Sequence, residues 1–97
     1  MDKHSIYKKC LDRWGIDSQL LMAVEEMTEL QTELLHCIRG RGDLKKVSEE
    51  IADVMITLEQ VLYIYALKSS VNKNIEIKMN RLESILIGEK DKEPTND

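Results

Sequence analysis

Phenylalanine is absent, and with three tyrosines and one tryptophan any core must be aliphatic. The one proline is Pro94, near the C-terminal end. Cys10 and Cys37 form no CxxC pair and no metal-ligand spacing, so they read as free thiols of a reducing compartment. No apolar run reaches bilayer length, and the start "MDKHSIYKK" is not a secretory signal. These absences lead us to expect a cytoplasmic protein with no membrane partner. Excess basic charge is also lacking. The net charge is −4, which argues against a nucleic-acid-binding surface and leaves an anionic ligand in need of a bridging cation.

What remains is a chain of 97 residues, 42% of them hydrophobic, enough for one small domain. No stretch alternates with the period of a strand. Helical periodicity predicts an all-α, compact antiparallel four-helix domain over residues 1–88, completed by homo-oligomerisation, with 89–97 a mobile charged tail. The predicted helices are Lys3–Arg13, Ser18–Arg39, Leu44–Lys68 and Lys73–Ile87. They are punctuated by "WGID", "GRG" and "SSVN", with Asp17 or Ser18 and then Asp43 as N-caps. "RGD" at Arg41–Asp43 reads as turn plus cap.

On a helical wheel the second helix gathers Leu20, Val24, Met27, Gln31, Leu34 and Ile38 on one face, expected to point inward. Glu26, Glu29 and Glu33 occupy the other. The third helix is apolar nearly all round, apart from a narrow stripe of Glu50, Asp53, Thr57 and Gln60. Such a helix is central, and its polar stripe should face something specific. Neither Glu50 nor Asp53 has a basic residue one turn away, except Lys46 in the first turn. In a hairpin turning near Arg41, Glu29 and Asp53 lie at equal distances from the turn, with Glu26 and Glu50 near the same height. Four carboxylates withdrawn from water repel strongly unless a cation neutralises them. All-oxygen ligation suits Mg²⁺ or Mn²⁺. A di-iron bundle would need Glu-x-x-His twice, whereas only Glu33-Leu-Leu-His36 fits.

"VEEMTELQTEL" followed by "SEEIADVMITLEQV" resembles the MazG-like all-α nucleoside triphosphate pyrophosphohydrolases, whose signature is Glu-x-x-Glu on one helix and Glu-x-x-Asp on the next. "WG…Q" at Trp14, Gly15 and Gln19 and "RG" at Arg39–Gly40 also look like small phage or bacterial members. The resemblance spans roughly Tyr7 to Leu86. It implies hydrolysis of a (d)NTP between the α and β phosphates, giving (d)NMP and pyrophosphate, with Glu26, Glu29, Glu50 and Asp53 as catalytic Mg²⁺ ligands. It further implies that "KMNR", supplying Lys78, Asn80 and Arg81, meets the phosphates, and that the chain forms a homodimer or a dimer of dimers. Glu25, Glu33 and Glu49 are candidate general bases.

For other residues two readings compete. Trp14 either stacks on a base or plugs the core at a helix end. Gln19 either reads a base edge or caps a helix. Tyr63 and Tyr65 suit packing or an interface, and Met22, Met27, Met55 and Met79 suit core filling. Two further functional readings also stand: a non-catalytic helical dimerisation module with solvated acids, and a nucleotide-binding regulator that keeps fold and metal without turnover.

Overall fold

The structure, a computed structural model, describes residues 1–88; the tail expected at 89–97 lies outside the described residues. Three α-helices follow one another: α1 (Lys3–Ile38), α2 (Leu44–Tyr65) and α3 (Lys68–Ile87). Among the described residues there is no strand. None of these helices is long and apolar enough to cross a membrane.

The four helices expected are three, because the first two join. Asp2 starts α1, its carboxylate accepting from the Ser5 N–H at 2.8 Å. The break expected across "WGID" shrinks to Gly15 alone, at φ 83° and ψ 169°. One residue there suffices to redirect the chain, and glycine takes that conformation without the Cβ penalty. Asp17 and Ser18 therefore lie inside the helix rather than capping a new one. Gly15 divides α1 into an N-terminal arm and a longer C-terminal arm.

The C-terminal arm stops where "GRG" predicts. Gly40, at φ 77°, donates to the Cys37 carbonyl and Arg41 to that of His36, the paired bonds of a Schellman ending. Asp43 then caps α2, accepting from the Lys45 N–H at 3.0 Å. This helix ends at Tyr65, three residues short of the expected Lys68, because Ala66 turns left-handed at φ 52° and its N–H caps the Leu62 and Tyr63 carbonyls. The "SSVN" turn is instead the first turn of α3, which starts at Lys68 without a side-chain cap.

The chain forms two compact units, one Met1–Ala66 and the other starting at Leu67. In the first, α1 and α2 pack as an antiparallel hairpin. The N-terminal arm is fastened to the far end of α2. The Tyr7 phenol donates to Glu59, Lys3 lies 3.5 Å from the same carboxylate, and the His4 ring meets Tyr63 edge-on at 5.8 Å. Burial, and then the Glu59 contact, push the Tyr7 phenol up to about 12. Cys10 and Cys37 are free and half-buried.

The side of each helix that is buried overturns one expectation. The buried residues of the hairpin are Tyr7, Ala23 and Val54, and beside them three polar ones: Gln19, Thr57 and Gln60. On α1 Gln19, Ala23, Glu26 and Glu33 are buried or half-buried together with Leu20, Met27 and Leu30 of the expected apolar face, while Val24, Gln31, Leu34 and Ile38 of that face are exposed. Of the methionines assigned to core filling, Met22, Met55 and Met79 are exposed. Tyr63 packs against His4 and Tyr7, whereas Tyr65 is exposed. Of the polar stripe of α2, Glu50 meets the acids of α1, Thr57 and Gln60 are buried, and Asp53 is exposed.

Candidate metal centre

Residues three and four apart on a helix share a face, so Glu26 and Glu29 on α1, and Glu50 and Asp53 on α2, each project as a pair. The hairpin sets the pairs against each other. Glu26, Glu29 and Glu50 each offer one carboxylate oxygen, all within 4.8 Å of one another. Asp53 is not in that trio and is exposed, but it is close enough to add to the negative field on both Glu26 and Glu50. The predicted four-carboxylate site is thus a group of three with the fourth beside it.

Glu29 lies at the exposed edge, while Glu26 and Glu50 are half-buried. One oxygen of each, Glu26 Oε2 and Glu50 Oε2, is buried with no hydrogen-bond partner. Burial raises the Glu26 carboxyl above the ordinary carboxylate range, and Glu29, Asp53 and Glu50 push it further. The same holds for Glu50: burial first, then Glu29, Asp53 and Glu33. Among the described residues no lysine or arginine pairs with Glu26, Glu29, Glu50 or Asp53. Unsatisfied buried oxygens are costly, and clustered like charges add to that cost. The donor set, all carboxylate oxygen at chelating distance, fits a hard divalent cation.

Glu33, a candidate general base, faces this cluster. Its side chain is 16% exposed, contributes to the field on Glu50, and lies 3.6 Å from His36 Nδ1. Its position seven residues after Glu26 carries the signal, since two helical turns return it to the same stripe. Glu25 and Glu49 are exposed.

Gln19, expected near the start of a helix, lies mid-helix and is only 2% exposed, so it caps nothing. Thr57 and Gln60 share its burial, at 4% and 8%. The Thr57 hydroxyl donates to the Val54 carbonyl at 3.0 Å, whereas the Oε1 atoms of Gln19 and Gln60 have no partner. Trp14 is not a core plug. It is 53% exposed, with the Arg13 guanidinium 5.3 Å from its ring centroid. Lys78, Asn80 and Arg81 are exposed residues of α3, in the second unit.

Compared with models of protein families, with curated proteins and with solved structures, the chain matches none.

Proposed function

We propose that the protein is a Mg²⁺-dependent nucleotide pyrophosphohydrolase that cleaves a (d)NTP between the α and β phosphates, releasing (d)NMP and pyrophosphate. The observation that carries this is the convergence of Glu26, Glu29 and Glu50 within 4.8 Å, with a buried, unpartnered oxygen on two of them. Glu26, Glu29 and Glu50 would hold the cation, with Asp53 positioned to complete the set. Bound there, Mg²⁺ or Mn²⁺ supplies charge neutralisation to phosphate oxygens and acidifies a water. The chain's own part is to fix that geometry and to keep a spare carboxylate at hand for a proton. Of the candidates Glu25, Glu33 and Glu49 we assign that role to Glu33, since it adds to the field on Glu50 without belonging to the chelating trio.

Phosphoryl chemistry demands mostly positioning and neutralisation, and an acidic seam between two packed helices is suited to both once a cation is bound. The spacing Glu26-x-x-Glu29 and Glu50-x-x-Asp53, on adjacent antiparallel helices, supports the MazG-like assignment. A dimerisation module with solvated acids fits less well, because Glu26 and Glu50 each have a buried oxygen.

The test is a panel of nucleoside and deoxynucleoside triphosphates incubated with the protein and Mg²⁺. Monophosphate and pyrophosphate are expected in equal amounts, and none without divalent cation. Orthophosphate with diphosphate would overturn the α–β assignment. Metal binding without turnover would mark the protein as a regulator.

A further inference from the structure

The N-terminal arm of α1 is held to the rest of the hairpin at few points. Of residues 3–18 only Tyr7 is buried, with Ser5, Cys10 and Leu11 half-buried. Residues 12–18 are all exposed, so little packing holds the chain on either side of Gly15. The grip lies nearer the other end of the arm. There the Tyr7 phenol donates to Glu59, Lys3 stands 3.5 Å from the same carboxylate, and the rings of His4 and Tyr7 meet that of Tyr63. Gly15 stands at φ 83° and ψ 169°, a region that essentially only glycine enters. A Cβ there would meet nothing within 4 Å, so the constraint is one of backbone alone. At helical angles the same residue would carry α1 on without a break. One residue thus separates a bent α1, stabilised by the contacts at Glu59 and Tyr63, from a straight one whose arm has left α2.

We propose that residues 3–14 form a hinged strap, which closes over Gln60 at this end of the hairpin and opens at Gly15 as a unit while the hairpin stays folded. Gln60 follows Glu59 directly and precedes Tyr63 by one turn, and it is 8% exposed beside these two anchors. The Tyr7–Glu59 bond is the clasp, a hydrogen bond to a charged acceptor and so among the stronger kind. Opening gives up that bond, the ring contacts and the burial of Tyr7. It leaves intact what makes the arm a helix. The Asp2 cap on Ser5 and the Lys8–Asp12 pair, at 2.8 Å each, lie wholly within the arm. A segment with its own cap and few buried contacts opens at a lower free energy than the domain as a whole.

The two cysteines report on strap and hairpin separately, since Cys10 lies on the arm and Cys37 near the other end of α1, both free and half-buried. The test measures alkylation by N-ethylmaleimide at each, resolved by peptide mass spectrometry, in the full chain, in Tyr7→Phe and in Gly15→Ala. Tyr7→Phe keeps the ring and removes the donor. It is expected to speed alkylation of Cys10 roughly tenfold while leaving Cys37 within about twofold of wild type. Gly15→Ala acts on the hinge instead, because alanine disfavours the bent angles and favours the straight helix. Cys10 should again react faster, with helicity by circular dichroism no lower than in wild type. Gln60→Cys tests the cover. The thiol placed at position 60 is expected to react slowly, and roughly tenfold faster once Tyr7→Phe is added. Equal acceleration of Cys10 and Cys37 would mean that arm and hairpin open together, and would overturn the strap. Unchanged alkylation of Cys10 in both variants would overturn it as well. A thiol at position 60 that reacts equally fast with the clasp present and removed would show that the arm closes over nothing there.

Discussion

At the scale of single residues, Glu26 and Glu50 give the metal-free protein an unusual response to pH. Carboxyls of folded proteins commonly titrate below their unfolded values; these two are raised above 4.5. The folded state therefore holds protons that the unfolded chain releases, and stability falls as pH rises from 4.5 through the raised folded values. Asp2 acts with the opposite sign. Its carboxylate, held below 3.8 by hydrogen bonds from Ser5, contributes stability that is lost as pH falls through that depressed value. Metal-free protein is thus expected to melt highest on the acidic side of neutrality. A divalent cation binds the ionised carboxylates, so Mg²⁺ should raise the melting temperature more near pH 8 than near pH 5. At a hundredfold excess over Kd the gain is about 2.7 kcal/mol, roughly 10–20 °C for a domain this size. Differential scanning fluorimetry over pH with Mg²⁺ or EDTA measures both effects. An equal Mg²⁺ shift at both pH values would refute the linkage.

At the scale of elements, the end of α2 carries a strain that can be removed. Ala66 stands at φ 52°, a left-handed conformation that costs a residue with a Cβ about 1–2 kcal/mol. Glycine there escapes that cost but gives the unfolded chain more freedom, worth about 0.4–1 kcal/mol. Ala66→Gly is therefore expected to stabilise by roughly 0.5–1 kcal/mol, a rise of several degrees in melting temperature. A fall would mean that the Ala66 side chain supports the junction in some other way. The same residue shows where sequence reasoning stops. "GRG" announces the end of α1 because glycine signals a left-handed cap, and Asp43 announces the start of α2 because its side chain bonds the backbone. Ala66 carries no such signal, so the α2–α3 boundary was misplaced by three residues on one side and five on the other. The carboxylate pairs were legible because i, i+3 spacing and hairpin symmetry are matters of counting. The inward side of α1 was not. A helical wheel ranks faces by apolar content alone, and here the polar Gln19, Glu26 and Glu33 share the buried side with Leu20, Met27 and Leu30 while Val24, Leu34 and Ile38 turn out.

That inversion matters most at the scale of the whole molecule. Val24, Leu34 and Ile38 on α1, with Ile51, Met55 and Leu58 on α2, are each more than 40% exposed, and this is apolar surface of a kind that a protein of this size seldom leaves to water. Each such side chain, once covered, returns about 1.5–3 kcal/mol, so covering several offsets the cost of the polar seam they leave behind. A second copy of the chain presents the same helical faces and can bury them reciprocally, as a two-fold interface requires. The protein is accordingly expected to sediment at twice or four times its 11.3 kDa chain mass. Its melting temperature should rise with protein concentration, as mass action demands. Val24→Glu and Leu34→Glu place charge on the outward face without touching Glu26, Glu29 or Glu50. They are expected to shift sedimentation toward the monomer and to remove the concentration dependence of melting. Wild-type protein that remains monomeric at every concentration, with melting independent of concentration, would show that the hairpin stands alone with its apolar faces outward.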